Sequence, residues 1–137
     1  MSEYLHVAMV TLLALALFFW MGVRVGSARQ RHAVTAPATT GHPEFERHFR
    51  VQANTLEGLV LFLPALWLFA IYVNEPIAAG LGGVWIIGRI MYMMSYVKDP
   101  AKRGPGFGIQ ALATLVLLLS GLGWVAWLMV AALLQHS

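Results

Sequence analysis

The sequence predicts an all-α integral membrane protein, a single domain of four membrane-spanning helices over residues 1–137. Hydrophobic residues make up 59% of the chain and charged residues 11%, against about 45–50% and about 25% in soluble domains. The mean hydropathy is +0.71. The apolar residues form four blocks separated by short polar segments. Four membrane-spanning helices and their loops take up the 137 residues, so we expect no added soluble domain.

The first two blocks differ in length. Residues 4–23 form a full first span with few polar side chains. As a helix, residues 59–73 would reach only about 22 Å, which is less than the roughly 30 Å of a bilayer core. We therefore expect the second helix to begin earlier, near Pro43 or Glu44, with its first polar turns at the membrane interface.

The third and fourth blocks, residues 77–97 and 109–134, are each long enough to span a membrane. The tripeptide NEP at residues 74–76 predicts a tight turn, with its asparagine as a helix cap and its proline early in the third helix. The polar stretches 24–42 and 98–108 contain prolines and glycines and are predicted as loops.

Lysine and arginine are concentrated around the first and third loops. Five arginines lie in or beside the first loop, three basic residues lie in the third, and the second has none. Because positive residues favour the cytoplasmic side, we expect loops one and three in the cytoplasm and both termini outside. A bacterial inner membrane or the endoplasmic reticulum fits this topology. A net charge of +3 placed this way does not indicate a nucleic-acid partner.

The absence of cysteine excludes disulfides, thiolate metal sites and a cysteine nucleophile of the protein itself. Any thiol chemistry must therefore come from a bound substrate. The five histidines show no metal-ligand spacing with carboxylates, so we interpret them as loop and terminal residues and expect no metal site. The glycines within residues 80–83 and 121–123 are interpreted as close helix-packing positions.

The second helix carries a convergent polar set. Arg50, Asn54 and Glu57 are spaced by four and three residues, which places them within about 60° of one another around the helix. Ionisable groups at a lipid boundary are costly, so such a set predicts a binding or catalytic site. Gln52 points about 160° away. It would join this site only by reaching into it from a neighbouring subunit.

The third helix carries a second stripe, formed by Arg89, Tyr92 and Tyr96. Arg89 lies about 12 Å inside the helix from its polar end, where an unpaired charge costs about 2.5–3.5 kcal/mol. Glu57 is its expected partner. Alternatively, Arg89 and Glu57 form only a structural pair, and the tyrosines only anchor the membrane interface. Taken alone, Arg103 in the third loop is interpreted as a positive-inside anchor.

Two longer motifs resemble the MAPEG family, the small four-helix membrane proteins of eicosanoid and glutathione metabolism. The run TTGHPEFERHFRVQANTLEG at residues 39–58 is similar to its first-loop and second-helix signature. The run GRIMYMMSYVKDPAKRGPGFG at residues 88–108 is similar to its third-helix and third-loop signature. The resemblance is strongest to the branch of microsomal glutathione transferases and cysteinyl-leukotriene synthase. The first and fourth helices resemble those of the family only in their general apolar character.

The resemblance implies a homotrimer that binds glutathione between neighbouring subunits, near the cytoplasmic side. Arg103 would stand by the thiol as the catalytic group, Arg89 would be a buried structural or secondary ligand, and Gln52 would come from the adjacent subunit. The implied glutathione-binding residues are Arg29 from loop one, Arg50, Gln52, Asn54, Glu57, Arg89, Tyr92 and Tyr96.

The charges of these residues suit that tripeptide. Glutathione has two carboxylates, one ammonium and one thiol, which arginines and a glutamate complement. A free thiol has a pKa of about 8.5 and reacts as the thiolate. Lowering this pKa by about two units takes roughly 2.7 kcal/mol, which a partly desolvated arginine can supply. The thiolate would attack a lipophilic electrophile that enters from the bilayer.

Two positions depart from the synthase branch. Gly58 stands where that branch has a tyrosine, and Gln30 stands where it has a second arginine. These departures count against leukotriene synthesis and favour a generic glutathione transferase, or a glutathione-dependent peroxidase of lipid hydroperoxides. The alternatives are a non-enzymatic lipid-binding scaffold of the lipoxygenase-activating-protein type and a small transporter. Arg50, Arg103 and the tyrosines argue against the scaffold, and the apolar outward half of every span argues against the transporter.

Overall fold

The computed structural model describes residues 2–137, and this part of the chain is all α-helical, without strands. All four long helices are long and apolar enough to cross a membrane. The predicted four-helix membrane architecture is therefore confirmed. The long helices are α1 (Leu5–Arg31), α2 (Pro43–Tyr72), α3 (Glu75–Lys98) and α4 (Gly104–Gln135), and single 3-10 turns cover Ser2–Tyr4 and Pro100–Lys102.

Helix α1 runs past the predicted end of its span, so much of the expected first loop is helical. Arg29 and Gln30 lie in its last turns, and only residues 32–42 remain as the connection to α2. The segment up to Arg31 contains no proline, and its alanine, arginines and glutamine are good helix formers. Helix α4 begins at Gly104, before the predicted start of the fourth span at residue 109. Pro105 lies in its first turn, where a proline loses no hydrogen bond and does not break the helix.

The starts of α2 and α3 agree with the prediction. Helix α2 begins at Pro43, and the ring Nδ1 of His42 accepts a hydrogen bond from the backbone N–H of Glu44 at 3.1 Å. The side chain of Asn74 caps α3 by accepting from the backbone N–H of Ile77 at 2.9 Å. Both helices thus begin with a capped proline turn.

The two polar connections lie at the same end of the bundle. The guanidinium of Arg47, near the start of α2, donates to the carbonyl oxygen of Val97, near the end of α3, at 3.2 Å. At the opposite end, the carboxylate of Glu75 at the start of α3 accepts from the backbone N–H of Val7 at 2.9 Å. The polar end therefore gathers residues 32–42 and 99–103. That it faces the cytoplasm stays a prediction.

Helices α3 and α4 touch backbone to backbone at two glycines. A Cβ atom at Gly88 would lie 2.7 Å from the backbone nitrogen of Gln110, and one at Gly106 would lie 2.4 Å from the backbone nitrogen of Tyr92. Neither position has room for a side chain. This contact places the first turn of α4 against the middle of α3.

The glycines that we predicted to pack between helices do so at only one position. A Cβ atom at Gly82 would lie 2.4 Å from Cγ1 of Val10. A Cβ atom at Gly80, Gly83, Gly121 or Gly123 would meet nothing within 4 Å in the described part of the chain, so the predicted close packing between its own helices is wrong at these four positions. Closely spaced residues of a helix point in different directions, so a cluster of glycines cannot pack as a unit.

Candidate functional site

A polar cleft of about 360 Å³ opens between α2, α3 and the segment before α4. Six of the nine residues predicted as site residues meet in it, although they come from three separate parts of the chain. Their functional role stays a prediction. The lining of this polar cleft consists of Arg50, Ala53, Asn54, Glu57, Tyr92, Tyr96 and Arg103.

Helix α2 contributes the charged wall of the polar cleft. Val51 and Thr55 face the core and are almost fully buried, which fixes the rotation of α2. With that rotation, Arg50 and Glu57 are exposed and Asn54 is half-buried between them. The burial of one stripe of α2 therefore presents a cation, an amide and a carboxylate along the adjacent stripe.

Helix α3 contributes two stacked tyrosines. The ring centroids of Tyr92 and Tyr96 lie 5.5 Å apart with an interplanar angle of 29°. Tyr92 is buried and also packs against Phe107 of α4 at 6.1 Å. Tyr96 is half-buried. The polar cleft thus has an aromatic wall whose position depends on the contact between α3 and α4.

Arg103 reaches the polar cleft from the turn before α4. Its Nη1 donates to the carbonyl oxygen of Pro100 at 3.0 Å, and the side chain of Asp99 caps the same turn through the backbone N–H of Ala101 at 3.1 Å. The guanidinium is exposed and makes no ion pair within residues 2–137. It is positioned by its own backbone and keeps donors for a ligand.

Arg89 lies beneath the polar cleft and is only 1% exposed. Its Nη1 donates to Oδ1 of Asn54 at 2.8 Å and to Oγ1 of Thr55 at 3.2 Å. The predicted ion pair with Glu57 is wrong, since across residues 2–137 no carboxylate lies within 4.0 Å of this guanidinium. The reason is rotational: α2 turns Asn54 and Thr55 toward α3 and leaves Glu57 exposed.

Aromatic rings supply part of the environment of this buried cation. The Cζ atom of Arg89 lies 4.7 Å from the ring centroid of Tyr92, 5.8 Å from Trp85 and 6.0 Å from Phe107. Such contacts are worth about 0.5–2 kcal/mol each. The Nε atom of Arg89 is nevertheless buried without a hydrogen-bond partner.

Arg29 and Gln52 lie outside the polar cleft of their own chain. Arg29 stands on α1, donates to the carbonyl oxygen of Ala38 at 2.9 Å and stacks on the ring of Phe45 at 4.7 Å. Gln52 faces α1, where its Nε2 lies 3.0 Å from the place of a Cβ on Gly22. Their participation in a site shared between subunits stays a prediction.

The sequence did not predict a cluster of histidines around Glu44, at the connection between α1 and α2. The carboxylate of Glu44 accepts from Arg31 at 2.6 Å and lies 3.0 Å from Nε2 of His32, whose ring stacks on that of His42 at 3.5 Å. His48 is a buried residue of α2 and not a loop residue. The cluster ties the end of α1 to the start of α2. In residues 2–137 no grouping suited to a metal ion occurs.

An apolar groove of about 370 Å³ adjoins the polar cleft and runs between α2 and α4. From the sequence we expect a lipophilic substrate to enter from the bilayer, but the sequence does not predict which apolar residues line the groove, because they look like those of any span. Leu61, Leu115 and Leu118 are exposed, so the groove opens at the apolar outer surface of the bundle. The apolar groove is lined by Asn54, Glu57, Gly58, Leu61, Arg89, Phe107, Gln110, Ala111, Thr114, Leu115 and Leu118.

Comparison with known proteins agrees with this architecture. The sequence profile described as the MAPEG family matches residues 7–134. Microsomal glutathione S-transferase 2 of Homo sapiens is 42% identical over 113 residues, covering 80% of this chain and 77% of that protein. Leukotriene C4 synthase of Cavia porcellus is 38% identical over 132 residues, covering 96% and 88%. An uncharacterized protein of Synechocystis sp. is 46% identical over 126 residues, covering 92% of each.

Proposed function

The chain belongs to the MAPEG family, and from this premise we propose that it is a membrane-bound glutathione transferase. The observation that carries the proposal is the convergence of Arg50, Glu57 and Arg103 in one polar cleft beside two tyrosines. Two relatives that carry the names of a glutathione S-transferase and a leukotriene synthase support the same class of enzyme. The apolar groove beside the cleft would admit the lipophilic co-substrate.

The polar cleft is complementary to glutathione in charge. Two guanidinium groups, of Arg50 and Arg103, can pair with its carboxylates or its thiolate, and the carboxylate of Glu57 can pair with its ammonium group. Asn54 and Tyr96 add neutral hydrogen-bonding groups. Arg89 supports this set indirectly, because it holds the side chain of Asn54 in place.

Arg103 is the residue that we assign to the thiol. Its guanidinium is held by the turn at Pro100 and has donors to spare. A cation within hydrogen-bond distance of the sulfur favours the thiolate over the thiol. The thiolate then attacks the electrophilic atom of the acceptor. A bond forms between sulfur and that atom, and the leaving group departs with the electron pair of the bond that breaks.

We further propose that the working unit is a homotrimer in which neighbouring subunits complete each site. Gln52 and Arg29 lie away from the polar cleft of their own chain, on the side of α1. In the proposed site Gln52 would contact the bound tripeptide from a neighbouring subunit, and Arg29 would hold it from the end of α1. In this arrangement the polar end of the bundle, with its basic residues, faces the cytoplasm.

Purified protein in lipid nanodiscs tests the proposal. Glutathione binding is measured by titration calorimetry, and conjugation is followed with chlorodinitrobenzene. We expect saturable binding and glutathione-dependent turnover. Binding without any turnover of electrophiles would favour the lipid-binding scaffold, and the absence of binding would overturn the proposal. Cross-linking of the nanodisc sample reports the number of subunits, and a monomer would contradict the shared site.

A further inference from the structure

A further pocket lies on one flank of α1, and we call it the α1 pocket. Its volume is about 360 Å³. It lies where the apolar length of α1 gives way to its last, basic turns, next to the start of α2 and the end of α3. None of its residues lines the polar cleft or the apolar groove. The α1 pocket is lined by Trp20, Val23, Arg24, Ser27, Arg31, Glu44, His48 and Val97.

The α1 pocket carries one positive charge that no residue of the described chain neutralises. The carboxylate of Glu44 is paired with Arg31, whose Nη2 lies 2.6 Å from its Oε1. Arg24 is half-buried and forms no ion pair within residues 2–137. Two guanidinium groups against one carboxylate leave an excess positive charge in the pocket. Because an unpaired charge at a lipid boundary is costly, the pocket favours an anion.

The other polar groups of the α1 pocket present donors as well. The side chain of His48 is 5% exposed, and its Nε2 lies 3.8 Å from Oε1 of Glu44, which is too far for a hydrogen bond. The hydroxyl oxygen of Ser27 accepts from Nη1 of Arg31 at 2.9 Å, which leaves its own hydrogen to donate. The one carboxylate is already bonded to Arg31. A ligand with several oxygen acceptors would satisfy these donors and Arg24 together.

The apolar part of the α1 pocket lies toward the membrane interior. Trp20 stands one turn before Arg24 and is 53% exposed, and the exposed side chain of Leu13 lies two turns earlier on the same stripe of α1. Tryptophan and basic residues at the end of a span are typical of the level of the lipid headgroups. A ligand with its polar group at Arg24 can therefore extend an acyl chain along this stripe.

The proposed contact between subunits leaves this flank of α1 open. Gln52 packs against Gly22 on α1 and is proposed to face a neighbouring subunit. Trp20 and Arg24 are each two residues from Gly22, which places them about 160° away from it around the helix. The α1 pocket would therefore face lipid in the trimer as well as in a single subunit.

We propose that the α1 pocket binds the phosphodiester headgroup of an anionic membrane lipid. The phosphate oxygens would accept from Arg24, Ser27 and His48, and the acyl chains would lie along Trp20 and Leu13. Basic pockets between membrane helices suit such headgroups. One excess positive charge matches a lipid with one negative charge and disfavours a choline headgroup, whose ammonium would add a second cation. This site is independent of the proposed transferase activity.

Native mass spectrometry of the purified protein in detergent tests the proposal by counting bound lipids as phosphatidylglycerol or phosphatidylcholine is added. We expect a single saturable phosphatidylglycerol site in each subunit and about tenfold weaker binding of phosphatidylcholine. Equal binding of the two lipids would overturn the proposal. Displacement of phosphatidylglycerol by inorganic phosphate would assign the pocket to a soluble anion and would overturn it as well.

Arg24→Gln removes the excess charge and should weaken phosphatidylglycerol binding about tenfold or more, whereas Arg24→Lys should retain part of it. Lys98→Gln is the matched control, because Lys98 is an exposed cation at the same end of the bundle and lies outside the α1 pocket. Equal weakening in the two Gln variants would indicate a diffuse attraction to basic residues and refute the site. Unchanged binding in Arg24→Gln would refute it too.

A second variant keeps Arg24 and adds a negative charge beside it. Ser27→Glu should abolish phosphatidylglycerol binding, because the lipid phosphate would face a carboxylate. Thr39→Glu adds the same charge to the exposed connection between α1 and α2 and should leave lipid binding unchanged. The midpoint of thermal unfolding shows that both variants are folded. Retention of phosphatidylglycerol by folded Ser27→Glu protein would contradict the proposed position of the phosphate.

Discussion

The buried guanidinium of Arg89 is bonded to the amide oxygen of Asn54 at 2.8 Å and not to a carboxylate. Asn54 and Thr55 each accept one hydrogen bond from Nη1, but these neutral groups do not neutralise the charge. The bond also fixes the amide in the wall of the polar cleft, so one interaction joins the interior of α3 to the candidate site. Its energetic contribution can be measured directly.

Removing the acceptor at residue 54 should destabilise the fold. We expect Asn54→Leu to cost about 1–3 kcal/mol, because a buried charged donor loses the shorter of its two hydrogen bonds. The midpoint of thermal unfolding in detergent reports the change. Asn54→Asp is the control, since it keeps an oxygen acceptor beside Arg89. Equal melting of the Leu variant and the unmodified protein would show that this bond contributes nothing.

Arg103→Ala should separate glutathione binding from thiol activation. Without the guanidinium the thiolate loses its cationic neighbour, so its ultraviolet absorbance should appear only at higher pH, while affinity for glutathione is largely kept. Lys102→Ala, an exposed neighbour outside the polar cleft, serves as the control. An identical thiolate titration in the Arg103 variant would remove this residue from the catalytic role.

Charge removal on α2 should weaken glutathione binding. Arg50→Ala and Glu57→Gln each delete one charged group from the polar cleft. A charge-assisted hydrogen bond is worth about 1.5–3 kcal/mol, so the dissociation constant should rise roughly tenfold or more. Calorimetric titration measures it. Glu46→Gln alters a carboxylate of the same helix outside the cleft and should have no effect. If affinity stays within about twofold in both cleft variants, glutathione binds elsewhere.

The contact between α3 and α4 should not tolerate a methyl group. Gly106→Ala would place its Cβ 2.4 Å from the backbone nitrogen of Tyr92, which forces the helices apart at a cost of about 1–3 kcal/mol. Turnover should fall as well, because Arg103 and the tyrosine wall would separate. Gly108→Ala in the same helix meets nothing within 4 Å and should melt at or slightly above the original temperature. Similar melting of both variants would contradict the backbone contact.

Several features could be predicted because they depend on local pattern alone. Apolar length predicts four spans, and the proline turns at Pro43 and Asn74 predict where α2 and α3 begin. The four-and-three spacing of Arg50, Asn54 and Glu57 predicts one helix face. The histidine cluster around Glu44 could not be predicted, because its members meet across the first connection.

By itself, the sequence determined that this chain is a bundle of membrane helices with its polar chemistry at one end. Hydrophobic length and helical periodicity are properties of a segment, so they need no partner. The tertiary structure alone decided that Arg89 pairs with Asn54 and not with Glu57, and that an apolar groove meets the polar cleft at Asn54 and Glu57. Both depend on how α2 is rotated against α3 and α4. The burial of Val51 and Thr55 fixes the rotation of α2, and the close backbone contact at Gly88 and Gly106 fixes α4 against α3.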